Sequence, residues 1–183
     1  MRFPAVRRGL FRLGENRGVG SSILPLAIPP IVSLVAPPNR NPALERLDAL
    51  VGEWTMEATP PGGPPWPGGG RVSFEWLEGR TFLIERWTVE MPEAPDGIAI
   101  IGAADEPEAF RQHYFDSRGV HRIYEMTLSD NVWKLWRDAP DPFPQRYTGT
   151  FSEDGKTISG RWEKAEDGST WDTDFDLTYR KVG

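Results

Sequence analysis

The chain has 183 residues, 38% of them hydrophobic and 26% charged, the size and balance of one soluble globular domain with a sizeable core. With no cysteine, disulfides, thiolate catalysis and cysteine-based zinc or iron–sulfur sites are excluded. Residues 1–40 hold six arginines against Glu15, a net +5 that leaves −11 on the remainder, so the expected folded part repels phosphate backbones and anionic lipid, and neither nucleic acid nor membrane is an expected partner.

In chain order, the first forty residues place arginines before an apolar run from Ile23 to Val35. That is the order of a secretory signal, and Arg7-Arg8 invites a twin-arginine reading. Pro25, Pro29 and Pro30 break the run, however, and it is too short to span a bilayer. The alternative is a disordered or mis-started tail before a single domain at 41–183, with the protein in the cytoplasm. "NPALERLDALVGEW" follows, with Asn41 as N-cap, Pro42 at the first helical position, Leu44, Leu47, Leu50 and Val51 on one face, and Gly52 as the stop. It predicts a short amphipathic helix seated on the end of a barrel.

From Glu53 onward the period changes to two. Ten alternating runs are predicted near 53–59, 71–78, 80–90, 97–103, 110–116, 119–128, 131–138, 145–152, 156–164 and 169–181. Most links between them are short turns, so neighbours pair antiparallel and the meander is expected to close into an up-and-down, all-β barrel. Ten strands enclose more space than side chains alone need to fill, which leaves room for a ligand. The eight tryptophans could instead fill that space. The first link, "TPPGGPPWPGGG" at 59–70, carries one large side chain, Trp66, and reads as either a lid or a floppy loop.

Turn chemistry sets the faces. Gly119 suits the left-handed position of a bulged hairpin, which pairs Asp116 with Val120, Tyr114 with Arg122, Gln112 with Tyr124 and Phe110 with Met126. A two-residue turn at Asp130-Asn131 pairs Leu128 with Trp133 and carries the inner face on to Leu135 and Arg137. A turn at Glu78-Gly79 pairs Trp76 with Thr81 and sends Leu83, Glu85, Trp87 and Val89 inward. On the last strand Trp171, Thr173, Phe175, Leu177 and Tyr179 form the core face. The only two histidines, His113 and His121, fall on the outer face with Arg111, Glu125 and Thr127, without the third ligand or carboxylate that a zinc site or triad needs.

The expected ligand-binding set is therefore aromatic walls at Trp54, Trp76, Trp87, Trp133 and Trp162. Its polar groups are Glu85, Gln112, Tyr114, Arg122, Tyr124 and Arg137. Either Glu85 pairs with an arginine to fix the register, or Arg122 or Arg137 receives the carboxylate of a small amphipathic ligand.

"GEW" at 52–54, opening the first strand after a helix, resembles the G-x-W of lipocalin-like calycin barrels, and the resemblance implies that Arg180 covers that tryptophan. The stretches "VSFEWLEGRTFLIERW", "HYFDSRGVHRIYEMTL" and "GTFSEDGKTISGRWEKAEDGSTWDTDFDLTYRK" look like bacterial proteins grouped as domain of unknown function 1579. That likeness covers about residues 41–183 and implies a fold without an established activity. Nitrobindin-type haem barrels are a more distant likeness that implies an axial histidine on a late strand; no histidine follows His121, so no haem or other cofactor is expected.

The leading expectation is a carrier or sensor of a small apolar or amphipathic molecule. The runner-up is an isomerase, cyclase or hydratase using Glu85 or a tyrosine as acid–base. No nucleophile elbow, phosphate loop or dinucleotide fingerprint occurs in the sequence. A homodimer is also possible, through outward Val132 and Trp136.

Overall fold

The computed structural model describes residues 40–138 and 143–183. Of the tail expected at 1–40, residues 1–39 lie outside them, and Arg40 bonds Arg80 O and Leu44 O. A 3-10 helix, Pro42–Ala49, precedes ten strands: β1 Gly52–Thr59, β2 Gly70–Trp76, β3 Phe82–Val89, β4 Gly97–Ala103, β5 Ala109–Asp116, β6 His121–Ser129, β7 Val132–Arg137, β8 Gln145–Phe151, β9 Thr157–Lys164 and β10 Asp172–Lys181. Each strand pairs antiparallel with the next and β10 returns to β1, a closed up-and-down barrel without a free edge. Among the described residues no helix is long and apolar enough to cross a membrane.

The helix is 3-10 because its leucines recur every third residue. Three residues per turn stack Leu44, Leu47 and Leu50 on one line, all buried. The Asn41 side chain accepts from the Ala43 N–H at 3.0 Å, as a cap should. Gly52, expected to stop the helix, instead opens β1 at φ 127°. Its neighbour Trp54 donates its indole N–H to Leu50 O at 2.7 Å, tying the first strand to the helix.

The hairpins with defined turn chemistry take the expected register. Asp116 N–H bonds Val120 O at 3.0 Å around Gly119, and Tyr114 faces Arg122, Gln112 faces Tyr124 and Phe110 faces Met126. Asp130 and Asn131, both left-handed, set Leu128 against Trp133.

One turn and one strand depart from the expected pattern. Trp76 pairs with Leu83 rather than Thr81, because Gly79 and Arg80 are both left-handed and the strand ladder resumes only when Leu77 N–H meets Phe82 O. A slip of two residues keeps every side chain on its face, so Glu85 and Trp87 still point inward. In β10 the register shifts between Thr173 and Phe175. This bulge inserts Asp174 and reverses the alternation ahead of it. Trp171 therefore leaves the core face and lies against the Arg146 guanidinium, 4.2 Å from its ring centroid.

One end of the barrel is closed. There Leu44, Leu47, Leu50, Trp54, Phe74 and Phe110 belong to one buried cluster, and Trp54 meets Phe151 edge-on at 6.5 Å. Arg180, expected over Trp54, is exposed, and the side chain over that indole is Lys181, with Nζ 5.1 Å from the ring. The outer face carries the histidines as expected: their rings lie parallel, 6.2 Å apart, with Phe115 stacked on His121 at 4.8 Å. No group of three or more metal-ligating side chains occurs among the described residues. Val132 and Trp136 are half-buried, whereas the more exposed Phe82, Ile98, Phe115 and Ile123 sit on the outer side of β3–β6.

Candidate functional site

The other half of the barrel is hollow. A cavity of about 440 Å³ opens between the β1–β2, β3–β4, β5–β6, β7–β8 and β9–β10 connections, away from the helix. Its size falls within the range of small-molecule sites.

Of the eleven residues singled out from sequence, eight line it: Glu85, Trp87, Gln112, Tyr114, Arg122, Tyr124, Trp133 and Trp162. Three do not. Trp54 lies in the closed end. Trp76 has turned toward the helix, donating to Asp48 Oδ1 at 2.7 Å beneath the guanidinium of Arg40, 4.6 Å from its ring. Arg137 is on the last position of β7, and its guanidinium lies 6.0 Å from the Tyr124 ring.

The aromatic wall is held by few but definite contacts. Trp87 donates its indole N–H to Pro95 O at 2.8 Å and stacks on Tyr114 at 5.1 Å. Gly97 lies under that indole: a Cβ there would come within 2.3 Å of the ring, so only glycine lets Trp87 lie flat. Trp162 links Tyr124, at 5.7 Å, to Phe175, at 6.5 Å. Trp66 from the long first loop completes the rim, its ring 5.6 Å from Phe175 and its N–H bonded to Ala58 O at 2.9 Å. The loop therefore lies over the mouth, in the position of a lid.

Polar groups at the mouth are bonded to one another. Tyr124 OH donates to Gln145 Oε1 at 2.7 Å, which also accepts from Arg122 at 3.2 Å, while Gln145 Nε2 donates to Asp174 at 3.3 Å. Lys164 stands 3.6 Å from Asp174. Arg122 lies over the Phe143 ring at 4.8 Å. On the neighbouring strand Asp116 accepts from Tyr114 OH, from Arg118 and from the backbone N–H groups of Arg118 and Val120. Burial would raise its carboxyl, but those hydrogen bonds outweigh it and hold the group down at about 2.

Deeper in, the pattern reverses. Glu85 is buried with no ion pair or hydrogen bond to any described residue, and burial pushes its carboxyl up to about 8. The ion pair between Glu85 and an arginine, one of the two arrangements read from sequence, is not formed. Gln112 Oε1 and Trp133 Nε1 are likewise buried without a partner among the described residues. Nearby Tyr147 lies flat over Gly149 and Gly160, and its phenol is raised by burial and by the charge of Glu85.

Sequence reasoning missed Gln145, whose inward alternation follows once β7 is placed, and read Tyr179 as core without assigning it to the site. It also missed Asp174, for which the regular alternation of β10 held no sign of a bulge.

No family model and no curated protein matches this chain. Among solved structures it is similar to the crystal structure of Rv2717c from M. tuberculosis, at 17% identity and a TM-score of 0.54, over 79% of this chain and 100% of that one. That similarity extends to the fold alone.

Proposed function

We propose that the chain binds a small apolar or amphipathic molecule inside the barrel, as a carrier or sensor. The carrying observation is the division of the lumen: one half packed around Leu44, Leu47, Leu50, Trp54 and Phe74, the other a space of about 440 Å³ walled by Trp66, Trp87, Trp133 and Trp162 with a few converging polar groups. Among the described residues the partners of Arg122 at the rim are neutral, Tyr124, Gln145 and the Phe143 ring, which leaves its charge for an acidic group at the outer end of a ligand. Intrinsic tryptophan fluorescence titrated with a panel of fatty acids, flavonoids and terpenoids tests the reading. A saturable one-to-one change is expected with at least one class, weakened by Trp162→Ala. Flat titrations throughout, together with native mass spectra free of any co-purified molecule, would end it.

A second reading rests on Glu85. A carboxyl raised to about 8 on the wall of an open cavity is the disposition of a general acid, and it supports an isomerase, cyclase or hydratase. On this reading Glu85→Gln keeps ligand binding and abolishes turnover.

A further inference from the structure

The carrier reading leaves open what shape of molecule the cavity takes, and the placement of its rings bears on it. In a closed ring of ten strands the strand five places away lies opposite, so β9 faces β4 and β10 faces β5. Trp162 on β9 and Phe175 on β10 therefore stand across the lumen from Trp87 on β3 and Tyr114 on β5, and all four line the cavity. Trp87 lies flat over Gly97 and stacks with Tyr114 at 24°, so this wall shows ring faces to the lumen. Tyr124 stands edge-on between the walls, 6.4 Å from Tyr114 and 5.7 Å from Trp162. The centroids of Tyr114 and Trp162 are thus no further apart than those two distances together, and a flat ring placed between them lies about 6 Å from each, within the range of aromatic pairs. Strands of 6 to 10 residues with one half packed leave a depth of about 10–15 Å, enough for two or three fused rings and short for an extended long acyl chain.

The rim selects the head group. Arg122, which also lines the cavity, makes both of its hydrogen bonds, to Gln145 and Tyr124, from the single nitrogen Nη1. Its Nε and Nη2 donate to no described residue, while the Phe143 ring lies 4.8 Å from the guanidinium. Elsewhere in this protein that same Nε–Nη2 edge grips a carboxylate: Arg118 on Asp116, Arg146 on Glu163 and Arg161 on Asp176. On Arg122 the edge is left over. Arg118, the other cation lining the cavity, is already engaged, and the nearby anion Asp174 is held by Gln145 Nε2 and Lys164. A cationic head group would meet the Arg122 charge, and an acid turned inward would meet Glu85 with no countercharge.

We propose, resting on the carrier reading above, that the ligand is a flat aromatic acid of two or three fused rings, stacked between the Trp87–Tyr114 and Trp162–Phe175 walls with its carboxylate on the Nε–Nη2 edge of Arg122. Calorimetric titration of the full chain at neutral pH compares 2-naphthoate with two relatives. Decahydro-2-naphthoate keeps the acid and loses the flat faces, and 2-naphthalenemethanol keeps the faces and loses the charge. 2-Naphthoate is expected to bind at least about tenfold more tightly than either. Arg122→Met brings naphthoate down to the level of the alcohol, whose own binding is unchanged, and Arg122→Lys, which keeps the charge without the fork, recovers only part. Trp162→Leu weakens naphthoate and the alcohol together and leaves the saturated acid as it was. Each ratio is read within one variant, so a general loss of stability does not imitate it. Equal binding of the flat and saturated acids, tighter binding of the alcohol, or a naphthoate advantage that survives Arg122→Met overturns the proposal and leaves the carrier reading standing. Silence from all three probes overturns it as well, and the fluorescence panel then decides separately whether the carrier reading survives.

Discussion

The two ends of the barrel are built from the same strands and solve opposite problems. At the closed end each large side chain has a packing partner and each indole N–H a bond, as Trp54 to Leu50 O and Trp76 to Asp48 show. At the open end the rings line a space instead of filling it, and the inner wall keeps polar atoms without partners. The helix explains the difference: three leucines at 3-10 spacing plug one end, whereas the other is covered only by loops. Stability and binding are thus separable along the barrel axis, and substitutions at the two ends should not behave alike.

The largest expected effect is at the closed end. Trp54→Ala removes a fully buried indole and its bond to the helix, and lowers unfolding free energy by about 3–5 kcal/mol. Trp162→Ala, in the half-buried cavity wall, costs well under half of that. Urea unfolding of both variants checks the contrast, and similar losses would mean that the open half is packed as tightly as the closed one.

Next in size is Glu85, whose effect is read through pH. Its carboxyl ionises near 4.5 in the unfolded chain and at about 8 in the barrel. Below about pH 4.5 both states are protonated and there is no penalty. Between the two values the unfolded chain has released its proton and the folded one has not, so stability falls as pH rises, and the loss is complete above about 8. The full loss is on the order of a few kcal/mol. Glu85→Gln lacks this slope, so it should match the parent near pH 4.5 and exceed it in stability by pH 8.5 in matched denaturant titrations. Parallel curves would show that the cavity solvates the carboxylate.

Asp116 has the opposite sign and a smaller size. Its carboxyl is lowered from 3.8 to about 2, so its contribution is in place above about pH 3.8 and is lost as pH falls through about 2. Asp116→Asn weakens the bonds to Arg118, Tyr114 and the turn backbone. It should cost about 1–3 kcal/mol at neutral pH, with the difference from the parent vanishing in acid melts.

Legibility in the sequence follows the same division. Period-two alternation and short turns revealed ten strands and a closed sheet, because glycine and asparagine at left-handed positions constrain the hairpins they sit in. The inward positions of β3, β5, β6 and β7 followed from those turns, and even the mispaired Trp76 turn did no harm, being displaced by two. What could not be read was rotation at strand ends. Trp76 occupies an inward position yet turns to Asp48, a partner supplied by the helix and invisible along the strand. Asp174 reaches the lumen only through a bulge, and Lys181 rather than Arg180 covers Trp54. Partner choice at a barrel end depends on the three-dimensional crowding of several elements, which no single strand's pattern encodes.

The smallest effect on stability, and the sharpest on kinetics, belongs to Trp66. The residue is 36% exposed with its ring against Phe175, and the loop that carries it is held by only a few bonds, such as those from Trp66 backbone N–H to Ala58 O and from Gly63 N–H to Pro60 O. Removing the ring deletes little buried area, so Trp66→Ala should change stability by less than about 0.5 kcal/mol. The same ring stands at the mouth, where a ligand leaves. Release measured by stopped-flow displacement should accelerate several-fold, with a smaller change in association, because the loop must move aside for either event but the ring stabilises only the filled state. Unchanged release would place the exit on the rim between Arg122 and Phe143 instead, and Phe143→Ala would then be the substitution that accelerates it.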